Sequence, residues 1–472
     1  MPTIYKVQGG LDLHNQYRWG RRLYSIGFIA AIIAIVAAQL IWVPASLPSG
    51  KVQWIEIING LFYVLPLIPA CLAAGAIVLT FGRGLPLWIK VTRYAIAASA
   101  VALIYFFLFT PGEWGMMLIA ASIATVLAAV DFAASEWLER RKTPWRSGSA
   151  LLVIIASLAL LLIPTKENVI YPGMTLDLNQ YAHIAGGGTG GLIDGVLVFE
   201  RPAVLADKLY GVLFPQYSFH PIPENEPPLS ESYAQVVAMK TDANRVAAAI
   251  ALEKAGIGKG VVPEGAKIVA ILKDSPAEGK LQGGDVITAI NGKAIRIVQD
   301  MIQYMTDSIK PGQSAALTVK RGSEQIELSV PTVSSEQDAS RAVFGVSVQT
   351  EVTLDTPRDI RFEQYKAHLG GPSHGAMLTL AFLDQLTPGG ITGGLHVAGT
   401  GTIETDGGIG MVGGISQKAY AVSRTGADVF FVPAEGEQEA RSGAPELNIV
   451  AVETIDDVLR WLKEHTDNSQ VS

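Results

Sequence analysis

The sequence predicts a multi-domain chain: an N-terminal α-helical transmembrane bundle, then a β-rich unit, then a mixed α/β unit. Three observations carry this. Hydrophobic residues make up 49% of the chain and charged residues only 17%, with a mean hydropathy of +0.32. Most of that excess lies before residue 165, and the rest of the chain has the composition of an ordinary soluble domain. A chain of 472 residues also exceeds one compact core.

The membrane half comes first. A helix needs about 20 apolar residues to cross the hydrocarbon core, where no water satisfies backbone groups. Residues 23–43 are uncharged and meet that requirement; runs near 59–82, 94–110, 114–133 and 149–164 come after it, the last being the shortest. From such a series no cleavable signal peptide is expected, since the apolar region of one is shorter. Arg18, Arg21 and Arg22 precede the first run, Arg83, Lys90 and Arg93 lie between the second and third, and Arg140, Arg141, Lys142 and Arg146 between the fourth and fifth. The intervening loops 44–58 and 111–113 carry Lys51 as their one cation. Five spans with that alternation place the N-terminus inside and everything after residue 164 outside. A fifth helix that is merely interfacial reverses the second half of this assignment. Pro66 and Pro69 predict a kink in the second span. Asp131 sits near the end of the fourth run, so no charged pair is expected at mid-membrane, and the region reads as an anchor before a transporter or sensor.

Net charge is −7, which gives no basic footprint for nucleic acid. Cys71 is the only cysteine, so no intrachain disulfide forms. In 165–220, short apolar runs separated by clusters such as Gly186-Gly187-Gly188 predict strands and turns. The stretch 221–232 (PIPENEPPLSES) predicts an exposed loop, and 233–255 a helix stopped at Gly256.

Residues 258–334 hold a strand followed by Ser275-Pro276-Ala277, then Gly284-Asp285-Val286-Ile287, then Asn291-Gly292, a favoured two-residue hairpin turn. This unit resembles a PDZ domain. The resemblance implies a β-rich fold that takes an extended peptide at a sheet edge. The apolar, glycine-containing loop that holds a peptide carboxylate in that family is not reproduced in GIGKGVVPEG (256–265), so a purely positioning role stands beside peptide binding.

The chemistry lies further on. Residues 369–385 read LGGPSHGAMLTLAFLDQ, which sets Ser373 after Gly370, Gly371 and Pro372 at the start of an apolar helix. Free N–H groups and the positive dipole end there favour an anion, as an oxyanion hole requires. Lys418 comes 45 residues later, again just after glycines and at a helix start. Alone, the serine is a capped turn and the lysine a solvated helix residue. Together they resemble the proteolytic domain of Lon proteases and its Ser–Lys dyad. The likeness rests on Gly371-Pro372-Ser373 with Gly375, on the spacing to Lys418, on Gly413-Gly414-Ile415, on Thr400-Gly401, and on Gly426-Ala427 before the run DVFFVP (428–433). It spans roughly 345–462 and implies Ser373 as nucleophile, Lys418 as general base and Thr400 hydrogen-bonded to that lysine. Gly371 and Pro372 would shape the turn. His374 departs from the family, which usually has alanine there, and is expected to shape the oxyanion pocket or substrate entry.

Free lysine has a pKa near ~10.4, so it serves as a base only if its charge is disfavoured by about 3 units, roughly 4 kcal/mol. Ile415, Ala419, Ala421 and Val422 are the apolar neighbours available for that. Neutral Lys418 would take the Ser373 proton during attack on a peptide carbonyl and pass it to the leaving amine; water would then release the acyl-enzyme. No GxxxxGK[ST] loop and no HExxH motif occur, so neither an ATPase module nor a zinc site is predicted, and no cofactor or metal is expected. His374 adjoins Ser373 and cannot face it along a helix. His396 is an alternative Ser–His partner, and Glu404 and Asp406 read as hairpin residues.

The order of parts, from about 150 onward, is similar to the bacterial membrane-anchored PDZ–Lon-like proteases, with four extra spans upstream. That likeness implies an ATP-independent serine endopeptidase of the bacterial cell membrane. It would be multi-pass, with a cytoplasmic N-terminus and an extracytoplasmic protease domain acting on exported or membrane-proximal peptides or proteins. Peptide or protein substrate and membrane lipid are the expected partners, nucleic acid is not, and Lon-type rings allow a homo-oligomer. The expected divisions are a five-span region 1–164, a connecting part of the protease module 165–257, a PDZ-like domain 258–334, a mixed α/β Lon-type proteolytic domain 340–465 and a tail 466–472. NIVAVETIDDVLRWLKEH would end the last domain as a strand and an amphipathic helix. A non-catalytic scaffold or sensor tied to the membrane region is the alternative.

Overall fold

The computed structural model describes residues 4–43, 53–81, 85–110, 113–140, 145–223, 229–335, 338, 340–365 and 370–467. Lys51, Arg83, Arg141, Lys142 and the tail beyond 467 lie outside them. The chain begins with helices α1 (Ile4–Gln39), α2 (Trp54–Val64), α3 (Leu67–Thr80), α4 (Leu87–Phe109), α5 (Trp114–Arg140) and α6 (Trp145–Leu162). Among the described residues, four stretches are long and apolar enough to cross a membrane: Arg18–Ala38, Trp54–Thr80, Leu87–Phe109 and Gly115–Leu138. The chain is thus a membrane protein. The second stretch, α2 and α3 together, stays right-handed helical through Leu65 and Pro66, and its hydrogen bonding is interrupted where Pro66 offers no N–H. Buried alanines such as Ala73, Ala76, Ala97 and Ala100 let α3 and α4 approach closely. Ile26, Ile29 and Ile33 on α1 are more than half exposed, as suits a lipid-facing surface.

One expectation of the sequence is overturned here. Arg93 is not a loop cation but lies within α4, 1% exposed, and its Nε meets Asp131 Oδ1 of α5 at 2.9 Å. Its other nitrogens reach the Leu79 carbonyl and Ser135 Oγ. A buried charged pair therefore lies near one end of the bundle, at the last turn of α3, made tolerable because each partner neutralises the other and the guanidinium's donors are taken up.

The C-terminal part starts directly from α6 with β1 (Pro164–Asp177), α7 (Leu178–Tyr181), β2 (Ala182–Ile184), β3 (Ile193–Val204), α8 (Leu205–Leu213), β4 (Ser218–Pro221) and α9 (Leu229–Lys254). Helix α9 begins inside the stretch expected to be loop, of which 224–228 lies outside the described residues. A second unit comes next: β5 (Gly260–Ile271), β6 (Val286–Ile290), β7 (Lys293–Ala294), α10 (Val298–Ser308), β8 (Ser314–Arg321), β9 (Glu324–Pro331), β10 (Val333–Ser334), β11 (Ala342–Val343) and β12 (Val346–Asp355). Asn291 and Gly292, with φ of 49° and 79°, make the tight β6–β7 turn. The sheet runs β12-β5-β6-β8-β9, so its edge strand comes from beyond residue 334. Ala266, Ile268, Ile287, Leu317, Val319 and Phe344 form its core. At the other end of the β5–β12 ribbon, Val261 and Leu354 pack into the core of the next unit.

That unit adds β13 (Ile360–Phe362), a 3₁₀ turn (Pro372–His374), α11 (Gly375–Leu386), β14 (Val397–Gly399), β15 (Thr402–Ile403), β16 (Ile409–Gly410), α12 (Ile415–Val422), β17 (Val429–Pro433), α13 (Glu437–Gly443), β18 (Ile449–Val452) and α14 (Ile455–Asp467). Its sheet, β18-β17-β14-β3-β1-β4, is parallel from β18 to β3 and antiparallel from β3 to β4. Strand alternation assigns its two faces. Val397, Val429 and Phe431 share a core with α11, whereas Ala398, Phe430 and Val432 share another with α12.

The Arg93–Asp131 pair supplies a stability test. Asp131→Leu should destabilise the detergent-solubilised protein by about 3 kcal/mol through an unpaired guanidinium. The double change Arg93→Leu/Asp131→Leu should recover most of that loss in thermal melts.

Candidate active site

Helix α12 carries Ile415, Lys418, Ala419 and Val422 at the spacing of one helical face, and that face is the one turned onto the sheet. A lysine therefore occupies a core position and is only 1% exposed. Burial lowers its pKa from 10.5 to about 7, against the opposing pull of Glu439 and Glu200.

Ser373 approaches from the other face of the sheet. It sits in the 3₁₀ turn, half-buried, two residues before the N-terminus of α11. Gly370 enters that turn with φ of +47°, a conformation few other residues accept. Gly375 leaves it so close to β15 that an added Cβ would stand 2.7 Å from Ile403 Cγ2 and 3.0 Å from the Ile403 nitrogen. Pro372 occupies the first position of the turn, where its missing N–H costs nothing.

Thr400 touches both sides. It comes directly after β14 and its N–H is held by the Phe431 carbonyl at 3.0 Å. Its hydroxyl accepts from Lys418 Nζ at 3.1 Å and donates to the Ser373 carbonyl at 3.0 Å. The same carbonyl accepts from the Gly401 N–H at 2.9 Å, and the Ala376 N–H returns to the Gly401 carbonyl at 3.2 Å. The Ser373 hydroxyl makes no hydrogen bond among the described residues. Lys418 and Ser373 are thus linked in this state through Thr400.

His374 is 4% exposed, and its Nε2 has no hydrogen-bond partner among the described residues. Burial, with Lys240 and Lys418 nearby, lowers its pKa to about 3, so the ring is neutral across the physiological range. Tyr181 meets it edge-on, with ring centroids 6.4 Å apart. His396 stands before β14 while Thr400 stands after it, so the strand separates them; His396 Nε2 pairs instead with Asp194 at 2.9 Å. Glu404 and Asp406 lie in the β15–β16 hairpin, as expected. Among the described residues no cluster of metal-ligating side chains occurs.

Two features escaped the sequence. Lys240 of α9 lies over the Tyr181 ring at 5.4 Å, and burial lowers its pKa to about 8. Nothing in the surrounding helix marks it. Asp384 and Gln385, buried at the end of α11, hold Asn179, Ile391 and Ile184 through a network of 2.6–3.1 Å bonds. The signal was available there, in two polar residues closing an otherwise apolar helix.

Comparisons with known proteins match two segments. Residues 241–332 match the PDZ domain family, and residues 360–464 match the Lon protease (S16) C-terminal proteolytic domain. A probable periplasmic serine endoprotease, DegP-like, of Ectopseudomonas mendocina is 39% identical over 69 residues, which cover 14% of this chain and 14% of that protein. Two solved PDZ domains of SdrC-like proteins are also similar. The one from Listeria monocytogenes is 23% identical with a TM-score of 0.17, covering 18% of this chain and 87% of that chain. The one from Listeria innocua is 26% identical with a TM-score of 0.17, covering 18% and 92%.

Thr400→Val keeps the shape of the linking side chain and removes both of its hydroxyl bonds. It should cost about 1–2 kcal/mol in chemical denaturation, and Thr400→Ser should recover most of that.

Proposed function

From a membrane chain that joins a PDZ domain to a Lon-type proteolytic domain, we propose an ATP-independent serine endopeptidase with Ser373 as nucleophile and Lys418 as general base. The observation that carries this reading is a fully buried lysine whose pKa falls to about 7 and whose amine shares Thr400 with the Ser373 turn. Near neutral pH a large fraction of that amine is unprotonated. Its lone pair takes the Ser373 hydroxyl proton as Oγ attacks the scissile carbonyl. The oxyanion forms at the positive end of α11, and collapse of the tetrahedral intermediate expels the amine with the proton. Water then hydrolyses the acyl-enzyme. Thr400, Gly371 and Pro372 position these groups; neutral His374 keeps a further positive charge away from Lys418.

Substrate is a peptide or protein. Edge strand β12 pairs with β5 alone among the described residues and lies beside α10, where the Val298 N–H donates to Thr350 Oγ1 at 3.1 Å. The apolar, glycine-containing segment Val343-Phe344-Gly345 leads into β12, whereas most of GIGKGVVPEG already belongs to inner strand β5. This favours β12 as the edge that takes an extended peptide. On α9, exposed Val236, Val237 and Met239 form an apolar flank, and Val236 adjoins Gly371.

Strands from 164–221 and from 397–452 share one sheet, which supports 165–257 as part of the protease module with 340–465. For topology we favour five crossings, with the N-terminus cytoplasmic and the protease unit outside. Trp42 after α1 bonds the Tyr217 hydroxyl at 3.2 Å, Gln53 before α2 bonds Gln180 at 3.1 Å, and α6 runs straight into β1. The ends of α1 and α6 therefore lie on one side of the bundle, as an odd number of crossings requires.

Cleavage and topology can each be tested. In a peptide-cleavage assay, kcat/KM should rise about tenfold per pH unit below 7 and level off above it, because only the deprotonated amine acts. Lys418→Arg, which stays charged, should lower kcat by about 10²–10⁴-fold, and Ser373→Ala should lose labelling by an acylating probe. Probe labelling that survives Lys418→Arg unchanged removes the dyad. For topology, a phosphatase reporter active only outside the cytoplasm should be active when fused after residue 472 and inactive when fused before α1.

A further inference from the structure

Helix α8 is built inside out. Its acidic residue Asp207 is 0% exposed, gripped by Arg201 at 2.7 and 2.9 Å and by the Val204 N–H at 2.8 Å. Its aliphatic residues Leu205, Leu209, Val212 and Leu213 are instead 38, 55, 85 and 69% exposed. Their spacing puts them on one stripe of the helix. A stripe this apolar, facing outward while a carboxylate faces inward, indicates that its surroundings are not water.

The position of α8 identifies its neighbour. The Leu205 N–H donates to the Ile163 carbonyl at 3.1 Å, so α8 packs on the last turn of α6. The exposed Leu152, Val153 and Ile155 of α6 lead up to the same level. Trp42, at the end of α1, is ringed there by Tyr210, Phe214, Tyr217 and Tyr420, while the Lys208 ammonium lies 3.9 Å from the Phe219 ring. Aromatic rings with basic side chains among them are the composition of a membrane–water boundary.

We propose that α8 lies in the interfacial layer of the bilayer, with its stripe among the upper acyl chains. The occupant is lipid, because the stripe continues the lipid-facing surface of α6. Strand β3 runs directly into α8 and packs beside α12, so this contact sets the tilt of the sheet that ends at Thr400 and supports α12 with its Lys418.

The full-length chain with Cys71→Ser and a single Val212→Cys, labelled with an environment-sensitive fluorophore, tests this in vesicles of equal phosphatidylcholine and phosphatidylglycerol. Emission should be blue-shifted, quenched by nitroxide-bearing lipid and shielded from iodide in solution. Leu209→Cys should behave alike, and Cys71→Ala provides a second background. Leu272, 61% exposed on the PDZ unit, is the control and should show the reverse. Iodide quenching at Val212 equal to that at Leu272 overturns the proposal. A blue-shifted probe untouched by nitroxide lipid also overturns it, since protein then covers the stripe. Neither readout involves cleavage, so failure here leaves the protease reading standing.

Discussion

The desolvation of one amine governs the rest of this structure. Holding Lys418 in a dry position, with its pKa near 7 in place of 10.5, corresponds to about 5 kcal/mol taken from its preferred charged state. No nearby cation does this; Glu439 and Glu200 pull the other way. The cost is carried by the packing of α12, where Ile415, Ala419 and Val422 hold the helix face against Val196, Ala398 and Phe430. A core that merely tolerated a lysine would let it snorkel to water. Here the amine points at Thr400 instead.

The sheet explains why that threonine matters. Ser373 comes from the face covered by α11 and Lys418 from the face covered by α12. Two side chains on opposite faces of a sheet meet only past the end of a strand, and β14 is three residues long. Thr400 is the first residue beyond it. Ligands of open α/β sheets gather at the carboxyl ends of parallel strands for the same reason. The glycines around Ser373 then let its turn descend onto that strand end. The PDZ unit is tied to this arrangement by the β5–β12 ribbon, whose two ends lie in two different cores.

Local patterns of the chain made much of this readable. Apolar runs marked the bundle, and two glycine-flanked helix starts marked Ser373 and Lys418. What escaped depends on residues far apart in sequence. Arg93 reads as a loop cation until Asp131, on the next helix, supplies its counter-charge. Strand β12 lies beyond the PDZ-like pattern and pairs with β5 across more than 70 positions, from Asp355 to Gly260 and from Val346 to Ile271. In α8, LADKLYGVL gives no sign that its aspartate turns inward and its leucines outward, since Arg201 precedes the helix on a strand.

The most direct test of the central claim is titration of Lys418 itself. The full-length protein, carrying ¹³C at lysine Cε, can be followed by NMR with pH, and Lys418→Met identifies the resonance. The account predicts a midpoint near 7, well apart from the other lysines. A midpoint at the ordinary value of free lysine would mean that the amine stays charged at working pH, and the account would be wrong.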